Sequence, residues 1–241
     1  MRGADVGVLA LGERRSGDDR RSQDTDDDPV HCVPFFERAR NVQPAGFVVN
    51  VRAMIAVYLV RHGIAVDHQD RGPLADDDRP LTDKGRRRFR RAARAFARLG
   101  ETPDFVFTSP LVRAVQTAEL LVAALRKDSV GVLEELRPDV GPGKLLTETA
   151  RQVKNEQSVV LVGHDPQMTE LVVTLAGLSK EDAARVNFRK GAIVRIDVGE
   201  LPSARPSQPR WWLNPKTREL SKGLPLRKKP VEVKARATRA P

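Results

Sequence analysis

The stretch IAVYLVRHG, residues 55–63, decides how the chain is read. Apolar residues run unbroken from Ile55 to Val60, with β-branched side chains at Ile55, Val57 and Val60. A strand with one wet face alternates polar and apolar residues, whereas a strand covered on both faces does not. The run therefore predicts a strand buried on both faces. It ends abruptly in Arg61-His62-Gly63, and polar chemistry at the carboxyl end of such a strand marks a ligand crevice in α/β sheets.

The same grammar recurs on either side. Ser158 to Val162 is a second apolar run, ending in Gly163-His164-Asp165, and Phe105-Val106-Phe107 is a shorter one leading into Ser109-Pro110. Between these runs the period becomes helical. Thr82 is placed to cap a helix over about Asp83 to Leu99, with Phe89, Ala92, Ala93, Phe96 and Leu99 on its inner face and arginines outside. Ser109 as N-cap and Pro110 at the first position open a helix striped by Leu111, Ala114, Ala118, Leu121, Val122 and Leu125. A weaker helix is expected over Lys144 to Asn155. Asp165-Pro166 repeats the capping logic ahead of Met168, Leu171, Val172 and Leu175, and Gly177 is the stop. Ala192 to Val198 reads as a late strand with one wet face. Trp211-Trp212, after a Pro/Ser-rich hinge (Pro202 to Pro209), carry too much apolar surface to leave wet, and are expected to add a terminal strand closing the sheet edge. Strands alternating with helices specify an α/β sheet.

The 241 residues hold 42 Lys+Arg and 32 Asp+Glu, a net charge of +10, with 40% hydrophobic residues, enough for one well-cored domain plus appendages. Cys32 is the single cysteine, which excludes an intramolecular disulfide, and the four histidines are scattered without zinc-ligand spacing. No metal site is expected. The most apolar stretch, Gly46 to Val60, is interrupted by Asn50 and Arg52, and the first thirty residues hold many charges. No membrane span or signal peptide is therefore expected, and the cytoplasm is the default compartment.

Residues 1–53, net −1, are expected to be a disordered extension in front of a folded unit starting at Met54 and running to Pro215. Residues 216–241 carry nine Lys/Arg against two Asp/Glu, with three prolines and no aromatic residue. They are expected to be a disordered basic tail: a solvated appendage, or a weak contact for a polyanion such as nucleic acid. His31 beside Cys32, and His68 with Asp67 and Asp70, receive no role.

Four positions fall together at the strand ends: Arg61, His62, Arg113 early in a helix, and His164. Two guanidinium forks match phosphate oxygens, and helix N-termini at Pro110 and Pro166 add backbone donors. A histidine held in one tautomer there can attack phosphorus through nitrogen and split hydrolysis into two displacements without a metal.

YLVRHG (58–63), RPLTDKG (79–85), FTSPLVRAVQTAELL (107–121) and VVLVGHD (159–165) resemble the histidine phosphatase superfamily. The short interval containing ELRP (135–138), without long insertions, makes the SixA-type phosphohistidine phosphatases the most similar group. The resemblance covers roughly Ile55 to Leu213. It implies a three-layer α/β/α sandwich with a mostly parallel central sheet, His62 as the phosphorylated nucleophile, Arg61, Arg113 and His164 as the rest of the phosphate pocket, and no cofactor.

Larger branches of that superfamily protonate the leaving group with an acidic residue. The matching position is Glu135, with Glu134 beside it and Asp76 to Asp78 as rivals; the alternative is that no dedicated acid exists. A phosphohistidine substrate tolerates that absence, because imidazole titrates near neutrality, at about 6.5 unperturbed. The leading expectation is therefore a phosphatase acting on phosphohistidine of a protein. A phosphomonoesterase acting on a small metabolite such as a sugar or nucleotide phosphate is second, and a phosphate- or nucleic-acid-binding module is the non-enzyme alternative.

Overall fold

The computed structural model describes residues 8–10 and 54–227 except 68, 71, 73 and 74. These belong to one compact unit; residues 12–52 lie outside the described residues, His31 and Cys32 with them, as does His68. The strands are β1 (Val8–Ala10), β2 (Ile55–Arg61), β3 (Phe105–Thr108), β4 (Ser129–Val132), β5 (Ser158–Gly163), β6 (Ile193–Val198), β7 (Pro209–Leu213) and β8 (Leu220–Ser221). They form one sheet of order β1-β4-β3-β5-β2-β6-β7-β8. The helices are α1 (Asp83–Ala97), α2 (Val112–Leu125), α3 (Pro142–Gln152), α4 (Gln167–Ala176) and the one-turn α5 (Lys180–Ala183).

The unbroken apolar run of β2 is explained by two separate cores. Val57 and Leu59 point into one, with Leu145 and Leu146 of α3 and Met168 and Leu171 of α4. Tyr58 and Val60 point into the other, with Phe89 and Phe96 of α1 and Ala118 and Leu121 of α2. Helices therefore cover both faces of the sheet, giving the expected α/β/α layering. Full burial of each such aliphatic side chain contributes roughly 1.5–3 kcal/mol, so the strand that carries the site residues is anchored on both sides.

The expectation of a mostly parallel sheet is corrected. β4, β3, β5 and β2 run parallel, but β6 is antiparallel to β2, and β7, β8 and β1 are antiparallel to their neighbours. The physical reason lies in the connections. The βαβ crossovers end at β5, and β7 returns to β8 through a tight turn in which Arg218 N donates to the Asn214 carbonyl, a linkage only antiparallel strands can use.

Trp211 and Trp212 lie on β7 as expected, Trp211 with its ring 6.1 Å from both Tyr58 and Phe96. β7 is not the edge, however, because β8 pairs beyond it. The tail is corrected with it: order continues past Lys216 to Arg227. Asn187 N donates to Pro225 O at 2.7 Å, and Arg227 N donates to Arg185 O at 2.8 Å. In the N-terminal extension, β1 pairs with β4 in the register Val8↔Gly131. Among the described residues, no helix is long and apolar enough to cross a membrane.

Thr82 caps α1 as expected, accepting from Gly85 N at 3.0 Å, a contact worth about 1 kcal/mol. Two other capping expectations fail because the polar side chains are engaged elsewhere. Ser109 does not cap α2, whose N-cap is Leu111, and Asp165 does not cap α4, whose N-cap is Pro166. Gly177 ends α4 in the left-handed region, φ 59°, as expected.

Candidate active site

The parallel register of β2 and β5 sets Arg61 opposite Gly163, so His62 and His164 follow side by side. His62 N donates to Gly163 O at 3.0 Å, and the two imidazole centroids are 5.0 Å apart. On the other side of β5, Ser109 N donates to Val162 O at 3.0 Å, which brings the end of β3 into the same crevice. Three strand ends thus deliver Arg61-His62, Ser109 and His164 to one place.

His62 is buried, and its Nδ1 lies 2.7 Å from Gly63 O. A carbonyl oxygen only accepts, so Nδ1 carries the proton and Nε2 keeps its lone pair. Burial, and then His164, Arg113 and Arg61, hold the imidazole well below its usual range, partly offset by the Gly63 bond. It is neutral at physiological pH and is a competent nitrogen nucleophile.

His164 Nε2 lies 2.9 Å from Ser109 Oγ, the hydroxyl expected to cap α2. Ser109 Oγ also accepts from Leu111 N at 3.4 Å; with the hydroxyl proton directed to Nε2, His164 Nδ1 is an N–H donor. Burial and then Arg113 push the His164 pKa down to about 3, with Asp76 and Asp77 opposing, so this ring is neutral too.

The positive charge of the site therefore rests on arginine. Arg61 NH1 bonds Phe188 O at 2.7 Å and pairs with Asp165 at 2.9 Å, the carboxylate expected to cap α4. Arg113 is 4% exposed, its NH1 on Asp76 O at 2.7 Å and its NH2 on Asp76 Oδ2 at 3.1 Å. Among the described residues, Arg61 Nε, Arg113 Nε and His164 Nδ1 are buried and without a hydrogen-bond partner. Leaving each such group unsatisfied costs roughly 1–3 kcal/mol, and an oxyanion with several lone pairs matches the set. Among the described residues, no three His, Cys, Asp or Glu side chains cluster to hold a metal ion.

This arrangement agrees with comparisons to known proteins. Residues 57–142 match the Histidine phosphatase superfamily (branch 1). An uncharacterised protein of Picosynechococcus sp. is 35% identical over 144 residues, covering 59% of this chain and 85% of the relative. The chain belongs to the histidine phosphatase superfamily. Within it the chain is of the SixA type. The protein histidine phosphatase SixA, solved with tungstate, superposes with a TM-score of 0.55 at 26% identity, over 68% of this chain and 99% of that one. The SixA of Agrobacterium tumefaciens gives 0.52 at 27% identity, over 59% and 91%. A probable phosphoglycerate mutase GpmB of Cronobacter sakazakii is 26% identical, over 62% of this chain and 87% of that protein. The protein is a phosphatase-class enzyme.

In this histidine phosphatase the expected residues Arg61, His62, Arg113 and His164 come together, but Glu135 does not join them by any bond. Among the described residues its side chain has no hydrogen bond or ion pair, and only its backbone oxygen is used, by Gln167 Nε2 at 2.7 Å. The carboxylate that holds Arg113 is Asp76. Its Oδ1 accepts from Arg79 Nε at 2.7 Å and its Oδ2 from Arg113, so both oxygens are held by guanidiniums. Asp77 fastens the same loop, its backbone oxygen accepting from Val112 N at 2.9 Å and its Oδ2 from Arg137 NH2 at 2.6 Å.

Sequence reading missed two supports. Arg79 is buried and ties Asp76 to Val66 O. Thr117 Oγ1 donates to Arg113 O at 2.6 Å while accepting from Gly63 N at 3.0 Å, linking the helix that carries Arg113 to the loop after His62. Thr117 lies four residues after Arg113, so the same helix face was the available signal.

Proposed function

We propose that this enzyme removes phosphate from phosphohistidine on a protein, with His62 Nε2 as the transient acceptor. In the first displacement Nε2 attacks phosphorus, the P–N bond to the substrate imidazole breaks, and the departing nitrogen takes a proton from solvent. In the second, water attacks the phosphorus on His62, the new P–N bond breaks, and the proton of that water passes to solvent as inorganic phosphate leaves. Arg61 and Arg113 hold the phosphoryl oxygens through both steps, and His164 Nδ1–H donates to a third.

The observation that carries the P–N reading is the state of the carboxylates. Asp76 accepts on both oxygens from arginines and offers no proton in this arrangement, and Glu135 is bonded to nothing in the site. An alkoxide leaving group needs a positioned acid, whereas imidazole, titrating at about 6.5, leaves without one. Similarity to a protein histidine phosphatase supports the same reading. The second reading, a small phosphomonoester, is favoured by one feature: the Asp76 side chain is 39% exposed, and a phosphate arriving on Arg113 would compete with its Oδ2 for that guanidinium.

The test offers a phosphohistidine-bearing carrier protein and a panel of phosphomonoesters to the wild type and to His62→Ala, in EDTA at neutral pH. Turnover chiefly of the carrier, with an acid-labile phosphate trapped on wild type and absent from His62→Ala, is expected. Turnover chiefly of a monoester would overturn the P–N reading.

A further inference from the structure

Along α1, Lys84, Arg87, Arg88 and Arg91 face a groove of about 490 Å³ whose opposite wall is Pro215, Lys216 and Arg218. Six cations line it, and no Asp or Glu does. Elsewhere in the described residues Arg61, Arg79, Arg113, Arg137, Arg151, Arg185, Arg195 and Arg210 make ion pairs with acids, while arginines such as Arg90 and Arg94 stand unpaired but outside the groove lining. None of the six groove cations makes an ion pair among the described residues; the polar side-chain contact there is Arg88 Nε to Pro215 O, at 3.3 Å. Like charges gathered without counter-charges raise the free energy of the unbound protein and form a positive potential that an anionic partner relieves.

The groove is packed against the loop that follows the nucleophile. A void too small to hold water, lined by Gly63, Ile64, Gly85, Phe89, Lys190 and Gly191, shares Arg88 and Pro215 with it and ends at the residue after His62. Gly191 N in turn donates to Arg61 O at 2.9 Å. The groove lining contains no aromatic residue on which a nucleobase would stack. Its lining is suited to carboxylates spread over a surface.

We infer that this groove docks an acidic polypeptide face, and, resting on the phosphohistidine-protein reading, that the face belongs to the substrate protein next to its phosphorylated histidine. The cations steer and orient the substrate without touching the phosphoryl group, so they act on KM for the protein substrate and not on the chemical steps.

Two charge reversals on the same helix separate docking from mere net charge. Arg87→Glu/Arg91→Glu alters the groove; Arg90→Glu/Arg94→Glu makes the same charge change at exposed positions outside its lining. In the full chain the groove pair should raise KM for an acidic histidine phosphocarrier about tenfold or more at low salt, with p-nitrophenyl phosphate kinetics unchanged, and the control pair should leave both unchanged. Equal effects of the two pairs, or none, would overturn the docking inference while leaving the phosphatase reading in place. If the wild type fails to dephosphorylate the carrier, that reading fails on its own, and binding of labelled poly-L-glutamate judges the groove. Loss of binding confined to the groove pair sustains an acidic-polypeptide site. Binding of duplex DNA by these residues in preference to poly-L-glutamate, or no binding of either, overturns it.

Discussion

His62 gives its Nδ1 proton to the carbonyl oxygen of its neighbour Gly63, 2.7 Å away, and this bond decides which nitrogen can attack. Gly63 is itself held from its other side by Thr117, whose hydroxyl also donates to the carbonyl oxygen of Arg113. Nucleophile and phosphate clamp are therefore positioned by one short chain of hydrogen bonds.

Replacing the nucleophile should leave that framework standing. His62→Ala is expected to lower kcat by about a thousandfold or more, because the acceptor nitrogen is gone, while Tm changes little, since no apolar cavity opens in a crevice lined by polar groups. Activity with an aryl phosphate and a thermal melt check both. A variant retaining a tenth of wild-type kcat would contradict the assignment of Nε2.

The two buried histidines give stability a pH dependence of defined sign. His164 titrates at about 3 in the folded state and His62 well below its usual value, whereas both titrate at about 6.5 when unfolded. Below about pH 6.5 the unfolded chain binds more protons than the native one, so stability is full above that pH and falls steadily as pH drops toward 3. Melts from pH 7 to pH 4 should show Tm declining on the acid side, and His164→Asn, which cannot titrate, should flatten part of that slope. An unchanged slope in His164→Asn would remove the ring from the account.

How much of this could be read from residues alone follows from the range of the interactions. Ile55 to Val60 and Ser158 to Val162 declare themselves because burial on both faces leaves a local mark. Thr82 is legible as a cap because it bonds Gly85, three residues on. Ser109 and Asp165 mislead by the same rule: each has the local pattern of a cap, but His164 and Arg61 recruit them across the sheet. Asp76 and Arg79 become site residues only when the loop before α1 crosses to α2, 37 positions away for Asp76 and Arg113. β8 leaves almost no trace, since Leu220 and Ser221 are both exposed and its pairing is carried by backbone.

Gly85 shows how packing enforces the motif RPLTDKG. A Cβ there would lie 2.0 Å from the Ile64 carbonyl oxygen, a backbone atom that cannot swing away. Gly85→Ala should therefore destabilise by at least the roughly 1–3 kcal/mol of an overpacked core, and should lower kcat by displacing Ile64, two residues beyond His62. Gly143→Ala in α3, where a Cβ meets nothing within 4 Å, should be neutral or slightly stabilising. Denaturant melts of the two variants, run side by side, make the comparison; equal stability would place the constraint elsewhere.

Asp76 and Glu135 distinguish a positioning carboxylate from a proton donor. Asp76 fixes Arg113 through two bonds, so Asp76→Ala should weaken the phosphate clamp and lower kcat/KM about tenfold to a hundredfold, within the range seen for loss of one electrostatic contact. Arg113 NH1 bonds the Asp76 backbone oxygen, which survives substitution, so the loss should be smaller than for Arg113→Ala. If Asp76 only positions, the loss is the same for aryl phosphates with good and poor leaving groups, and the dependence of log kcat on leaving-group pKa keeps the wild-type slope. If Asp76 is the acid, the loss grows steeply for poor leaving groups and Asp76→Glu restores part of it. Glu135→Gln should change neither kcat nor slope by more than about twofold, because its side chain is bonded to nothing in the crevice. A steepened slope in Glu135→Gln would move the proton donor to the 3-10 turn Glu134–Leu136 and bring the phosphomonoester reading forward.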